Sequence, residues 1–208
     1  VIKIDLKKEL KHLYYPSTQE SAWVDVPRMS FLMIDGSGDP NTSKDFQDAL
    51  EALYSLSYTL KFMVKKQSLV VDYVVMPLEG LWWADDMALF STEKKNDWKW
   101  TLMIMQPELV TATLFQQGVQ QVSRKKSLPA LVKVRLENYH EGPSAQIMHI
   151  GSFSTEGPTV ERLHRFIREQ GWVHHGKHHE IYLSDFRKTA PEKIKTVIRQ
   201  PVLGSPAI

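Results

Sequence analysis

Glu180 and Tyr182 stand two positions apart in "HHEIYLSDF" (178–186). In an extended chain that spacing places a carboxylate and a phenol on one face, with Cα atoms about 7 Å apart. A carboxylate so placed can take a proton from water, and a phenol can donate one or orient the water. The same stretch is rich in imidazole: His174, His175, His178 and His179, four of the chain's eight histidines, lie within six residues. The pairs 174/178 and 175/179 have the i, i+4 spacing that converges on a metal in a helix. Gly176 and the strand-like "EIYL" argue against a helix, and without one the pairs diverge. The chain has no cysteine, and the only nearby carboxylates are Glu180 and Asp185. The expectation is therefore no metal site, with His174 and His175 in a solvated turn.

The elements that must position these groups follow from periodicity. "FLMIDGSGDPN" (31–41) reads as a strand ended by Gly, Asp and Pro. After it Phe46, Leu50, Leu53, Ser57, Leu60 and Val64 recur at helical spacing, with Asn41 or Thr42 as the expected cap. "VVDYVVMPLEG" (70–80) and "WKWTLMIMQP" (98–107) read as strands. "SAQIMHIGSF" (144–153) is a further strand, and "GPTVERLHRFIREQG" (157–171) a helix with Pro158 near its start and Gly171 past its end. "HHEIYLSDF" and "IKTVIRQPV" (194–202) supply two more strands. The fold class is α+β, built from tandem β-α-β-β repeats. The first spans about 29–107 and the second about 133–202, with a connecting helix over about 108–126 and a pseudo-twofold axis. In the strand from 178 to 183, Ile181 and Leu183 are expected to look inward to the helices, leaving Glu180 and Tyr182 on the other face.

Composition excludes several classes. A chain of 208 residues, 42% hydrophobic and 24% charged, can bury a real core as a single domain over 1–208. Lys+Arg 26 against Asp+Glu 24, with the basic residues scattered, offers no phosphate-tracking stripe, so no direct nucleic-acid contact is expected. No apolar run reaches the roughly eighteen residues a membrane helix needs. A cytoplasmic protein is the expectation. The sequence opens at Val1 with no initiator Met and no signal-like stretch, as for a chain lacking a few first residues rather than a secreted product.

Trp82, Trp83, Trp98 and Trp100, four of the six tryptophans, fall within nineteen residues. The doublet Trp82 and Trp83 cannot put both rings on one strand face, so at least one is expected to line something other than the helix-packed core. Glu79, beside Gly80 and the doublet, is read as a second carboxylate of a ligand cleft. His149 in "QIMHIG" reads as a hydrogen-bonded structural histidine, and Asp185 as the start of a turn.

Taken together, "FLMIDGSGDPN", "DYVVMPLEGLWW", "WKWTLMIMQP", "VRLENYHEGPSAQIMHIGSF" and "GKHHEIYLSDFRKTAPEKIKTVIRQPV" resemble the stand-alone GyrI-like small-molecule-binding proteins over nearly the whole chain. The resemblance implies a duplicated strand-helix-strand-strand module, of the type also found in SOUL proteins, with a ligand cleft between its halves. It implies that the cleft carboxylate and tyrosine fall on Glu180 and Tyr182, and the aromatic wall on Trp82 and Trp83; Trp100 and Glu79, from their own neighbours in the sequence, are expected as further ligand contacts. Some members are cyclopropanoid hydrolases, which implies a detoxifying hydrolysis of strained DNA-alkylating compounds without metal or organic cofactor. In such a reaction Glu180 would be the base, its pKa raised by an apolar cleft, and Tyr182 the donor or the group that orients water. The alternative implied by the related effector domains is non-catalytic: a glutamate ringed by aromatics that holds planar or lipophilic cationic molecules.

Overall fold

The computed structural model describes residues 2–68, 70–85 and 92–204. In chain order the elements are β1 (Ile2–Ile4), α1 (Leu6–Glu9), α2 (Lys11–Tyr14), β2 (Ala22–Val26), β3 (Met29–Ser37), α3 (Lys44–Ser68), β4 (Val71–Tyr73) and β5 (Leu78–Trp83). They continue with β6 (Lys99–Gln106), α4 (Ala112–Ser123), β7 (Arg135–Tyr139), β8 (Gly142–Ile150), α5 (Gly157–Glu169), β9 (Trp172–His174), β10 (His178–Tyr182) and β11 (Lys195–Gly204). The chain divides into two compact units. Unit 1 comprises Val1–Glu9, Met29–Met76 and Trp82–Tyr139, and unit 2 comprises Leu10–Arg28, Pro77–Leu81 and His140–Ile208. Each is a mixture of antiparallel strands and helix. Within 29–107 the order is β3-α3-β4-β5-β6 and within 133–202 it is β7-β8-α5-β9-β10-β11, so each stretch carries more strands than a strand-helix-strand-strand repeat, and unit 2 also takes in two segments from outside the second.

In unit 1, β3 is flanked by antiparallel β6 and β7, with Ser30 opposite Gln106 and Met29 opposite Tyr139. All six residues at the expected helical spacing, Phe46 through Val64, are buried on α3. The cap is not Asn41 or Thr42. The chain turns at Asp39, and it is the Ser43 hydroxyl that accepts from the Phe46 amide at 3.3 Å. The stretch 70–80 is not one strand: β4 pairs parallel with β1, and β5 starts only after Pro77, whose missing N–H cannot serve a ladder. Trp100 on β6 lies across Gly36 on β3, where any Cβ would sit 2.1 Å from its ring.

In unit 2 the antiparallel order is β2-β8-β11-β10, and β9 pairs with the far end of β11. β2 and β9 of this unit, five and three residues long, are too short to read from periodicity. One face of this sheet presents Ala145, Ile147, Ile198 and Val202, against which Leu163 and Ile167 of α5 pack. The register places Glu180 opposite Ile198 and Tyr182 opposite Thr196. Glu180 and Tyr182 therefore share the α5 face, which corrects the expectation that Ile181 would face the helix. The other face, with His179, Ile181 and Arg199, is buried too, because the N-terminal segment around Leu13 and Tyr14 covers it. Both faces of β10 are largely covered, so polarity could not tell them apart.

Candidate functional site

At the start of α5, five polar side chains of unit 2 gather on one face of the sheet. Tyr182 Oη–H donates to Glu180 Oε2 at 2.7 Å, and His178 Nε2 donates to Glu180 Oε1 at 3.2 Å. The Glu180 side chain keeps 16% of its surface open. Phe153 and Phe186 meet the Tyr182 ring edge-on, with centroids 5.8 and 5.6 Å away, and fix the phenol while presenting their own partly open faces. The carboxylate and phenol that the strand period paired are thus in direct contact.

Glu156 was invisible as a site residue in the sequence, where a glutamate before "GP" reads as an ordinary helix start. It occupies the N-cap position of α5 but its side chain makes no capping bond. Instead it is 7% exposed, and Oε1 has no hydrogen-bond partner. Burial, and then the negative charge of Glu180, push its pKa up to about 9; the neighbouring Thr196 hydroxyl, which makes no hydrogen bond of ordinary geometry, offsets this only in part. The carboxyl whose charged form is disfavoured by its surroundings is therefore Glu156. Next to it His149 Nε2–H donates to the Ser152 carbonyl at 3.2 Å while Nδ1 accepts from the Thr159 hydroxyl at 3.0 Å. Burial lowers the His149 pKa, so this imidazole is a neutral, hydrogen-bonded strut. The turn that brings the group together requires Gly151: its φ is +146°, and a Cβ would lie 2.8 Å from Thr155 Oγ1 and 2.9 Å from His149 Nε2.

The histidine run separates as its strand geometry dictates. His174 lies in β9 rather than a turn, its ring 4.1 Å from that of His164 on α5, and burial brings His164 down to about 4. His178 goes to Glu180, and His175 is exposed. His179 points to the opposite face. Among the described residues, no group of three or more His, Cys, Asp or Glu side chains is arranged to hold a metal ion.

Glu79 belongs to that opposite face, and both its oxygens are committed. Oε1 accepts from Tyr14 Oη at 3.0 Å and Oε2 from His179 Nε2 at 3.0 Å, and the residue is 1% exposed. His179 Nδ1 donates to Glu141 at 2.8 Å, and Glu141 also accepts from Arg199 Nη1 at 3.0 Å. Arg199 continues to Gln146 Oε1 at 2.9 Å and to the Leu13 carbonyl at 2.7 Å. Both nitrogens of His179 face carboxylates, so it is an imidazolium. Burial opposes that charge, but Glu141 and Glu79 outweigh it and raise its pKa to about 9. Burial likewise opposes the Glu141 charge, and His179 and Arg199 win, holding it at about 2. Two cations and two anions cancel in a dry interior. Glu79 thus holds structure, where the sequence suggested a ligand contact.

Of the tryptophans, Trp82 is 4% exposed, stacks on Phe46 at 6.0 Å and meets Trp98 edge-on at 5.6 Å. Trp100 is 1% exposed and packs edge-on against Phe46 at 5.3 Å. Both are core of unit 1, because α3 supplies Phe46 to them. Trp83 is only partly buried.

The model of the GyrI-like small molecule binding domain matches residues 19–203. A crystal structure of an uncharacterized conserved protein from Listeria innocua is 39% identical, with TM-score 0.88 over 96% of this chain and 100% of that one. A hydrolase encoded by lin2189 from Listeria innocua is 39% identical, with TM-score 0.85 over 97% of this chain and 100% of its own. The C-terminal domain of EcmrR shares the fold alone, at 11% identity and TM-score 0.53 over 89% of this chain and 98% of that one. No curated protein matches the chain. No helix among the described residues is long and apolar enough to cross a membrane. A match over most of the length and relatives of this identity make the chain a member of the GyrI-like small-molecule-binding family.

Proposed function

We propose that the protein hydrolyses strained cyclopropanoid compounds of the DNA-alkylating type, a detoxifying reaction in which Glu180 activates water. The observation that carries this reading is the Tyr182–Glu180 hydrogen bond at 2.7 Å, made at the edge of an aromatic wall where the carboxylate retains open surface. The hydrolases from Listeria innocua at 38% and 39% identity support it. A cyclopropane fused to a cyclohexadienone releases strain and gains an aromatic ring on opening, so the protein need only place water, take its proton and stabilise the emerging oxyanion. Glu180 takes the proton. Tyr182 and His178, each donating to one carboxylate oxygen, fix the orientation of the base. Phe153 and Phe186 offer flat apolar surface to a planar substrate. Nothing in this scheme calls for a metal or an organic cofactor.

The same partly open carboxylate beside aromatic rings also suits a lipophilic cation, and this is the second reading: binding without turnover. A spirocyclopropane dienone incubated with wild-type and Glu180→Gln protein and followed by mass spectrometry separates the two. Hydrolysis predicts opened product from the wild type and a ~10²–10⁴-fold loss in Glu180→Gln. Absence of opened product, with selective loss of cation affinity in Glu180→Gln, would establish the binding reading instead.

A further inference from the structure

The ring-opening scheme leaves one proton unassigned. When the strained bond breaks, its electron pair arrives at the dienone oxygen, and that oxygen needs a donor. Tyr182 is the obvious choice by residue type, but its hydroxyl hydrogen already points at Glu180 Oε2, 2.7 Å away. His178 is likewise turned to Glu180, and His149 is tied to Ser152 and Thr159. Among the carboxyls and imidazoles here, Glu156 is the one with an unengaged buried oxygen, Oε1, beside the likewise unpartnered Thr196 hydroxyl, and it has forgone the capping bond that its place at the α5 N-terminus offers. A buried carboxyl at a helix start that ignores the free amides there, with only a poorly placed threonine hydroxyl beside it, favours the neutral acid.

On the reading that the protein opens cyclopropanoid rings, we propose that Glu156 is a second catalytic residue, the acid that protonates the dienone oxygen, working as a dyad with Glu180. Water gives one proton to Glu180, and its oxygen bonds to the cyclopropane methylene. The strained C–C bond breaks, and its electron pair passes through the ring to the dienone oxygen, which takes the proton from Glu156. A proton moved from Glu180 to Glu156 restores both, and the net reaction is addition of one water. The division of labour has a physical origin: two neighbouring carboxyls do not both ionise, and the deeper one keeps the proton. The elevated pKa of Glu156, caused by burial and by Glu180, is consistent with it. The other titratable or charged groups here are His178 and Tyr182 from β10, both donating to Glu180, and His149 from β8, which is tied to Ser152 and Thr159 and has Arg162 of α5 near it.

The test uses two probes, a parent spirocyclopropyl cyclohexadienone and an analogue with an electron-withdrawing ring substituent, whose phenolate departs without a proton. With Glu156→Gln, kcat on the parent should fall ~10²-fold with KM changed by less than about threefold, and the deficit should shrink below about tenfold on the electron-poor probe. The Glu180→Gln deficit should be the same on both. Glu156→Met, which also fills the site but carries no proton, should behave as Glu156→Gln does. Wild-type turnover retained by either variant, or an equal deficit on both probes, would overturn the acid role and leave the hydrolase reading standing. If the wild type opens neither probe, the hydrolase reading falls, and this proposal with it.

Discussion

At the scale of single residues the site is a contrast between two glutamates. Glu180 is open enough to meet water and is held by a phenol and an imidazole; Glu156 is enclosed and unpaired. Tyr182→Phe removes one bond to the base without altering its depth, so turnover should fall by about tenfold, the equivalent of a charge-assisted hydrogen bond of roughly 1.5 kcal/mol, measured as kcat on the parent probe. Glu156 carries a cost in stability. Its folded pKa of about 9 lies above the unfolded carboxyl value, so the unfolded chain ionises first and stability drains away as pH rises from roughly 4.5 toward 9. Glu156→Gln removes that drain, and its melting temperature at pH 7.5 should exceed the wild type's. The pairing of Glu180 with Tyr182 was legible because a strand period of two depends on nothing outside the strand. Glu156 was not, because a helix-start glutamate is distinguished from a solvated cap only by what folds over it.

At the scale of elements, β11 carries the arginine that joins Glu141 and Gln146, just before and within β8, to the N-terminal turn. An arginine in the apolar run "TVIRQPV" was the available signal of a buried, paired cation, but its partners Glu141, Gln146 and the Leu13 carbonyl lie 53 to 186 positions away and no local pattern names them. Glu141→Leu leaves His179 and Arg199 with a surplus charge in a dry interior, so urea unfolding should report a loss of roughly 3–5 kcal/mol. His179 adds a pH signature. Its folded pKa is about 9 against an unfolded value near 6.5, so its stabilisation is complete below about 6.5 and is lost as pH rises through 9. Glu141, held at about 2, contributes fully above about 4.5 and loses its contribution only as pH falls toward 2. Between pH 7 and 8.5, then, His179 and Glu156 together let the native state hold about two more protons than the unfolded one. The unfolding free energy should decline by roughly 2–3 kcal/mol per pH unit, and by about half that in Glu156→Gln. In unit 1, Gly36→Ala forces a methyl into the Trp100 ring, and a destabilisation of at least ~1–3 kcal/mol is expected in the same assay.

At the scale of the whole molecule, the α+β class and the order of the long elements were legible, since α3, β6, α5 and β11 announce themselves by period. What was not legible is that unit 2 is assembled from three separated stretches, Leu10–Arg28, Pro77–Leu81 and His140–Ile208. The four clustered histidines illustrate how sequence proximity misleads: they diverge to His164, to solvent, to Glu180 and to the buried carboxylates, and a saturating chelator should leave the melting temperature unchanged. The bond from Arg199 to the Leu13 carbonyl, spanning 186 positions, has a further consequence in time rather than in space. A ribosome delivers the parts of unit 1 by Tyr139, so that unit can close early. The N-terminal turn of unit 2, made well before the rest of that unit, must wait with its Leu13 carbonyl unsatisfied until residue 199 has left the exit tunnel. Contacts of such sequence separation form late. In pulse-labelled hydrogen exchange during refolding, amides of α3 and β3 should gain protection before those of β2 and β8, and the nascent N-terminal segment is the stretch on which a chaperone would act.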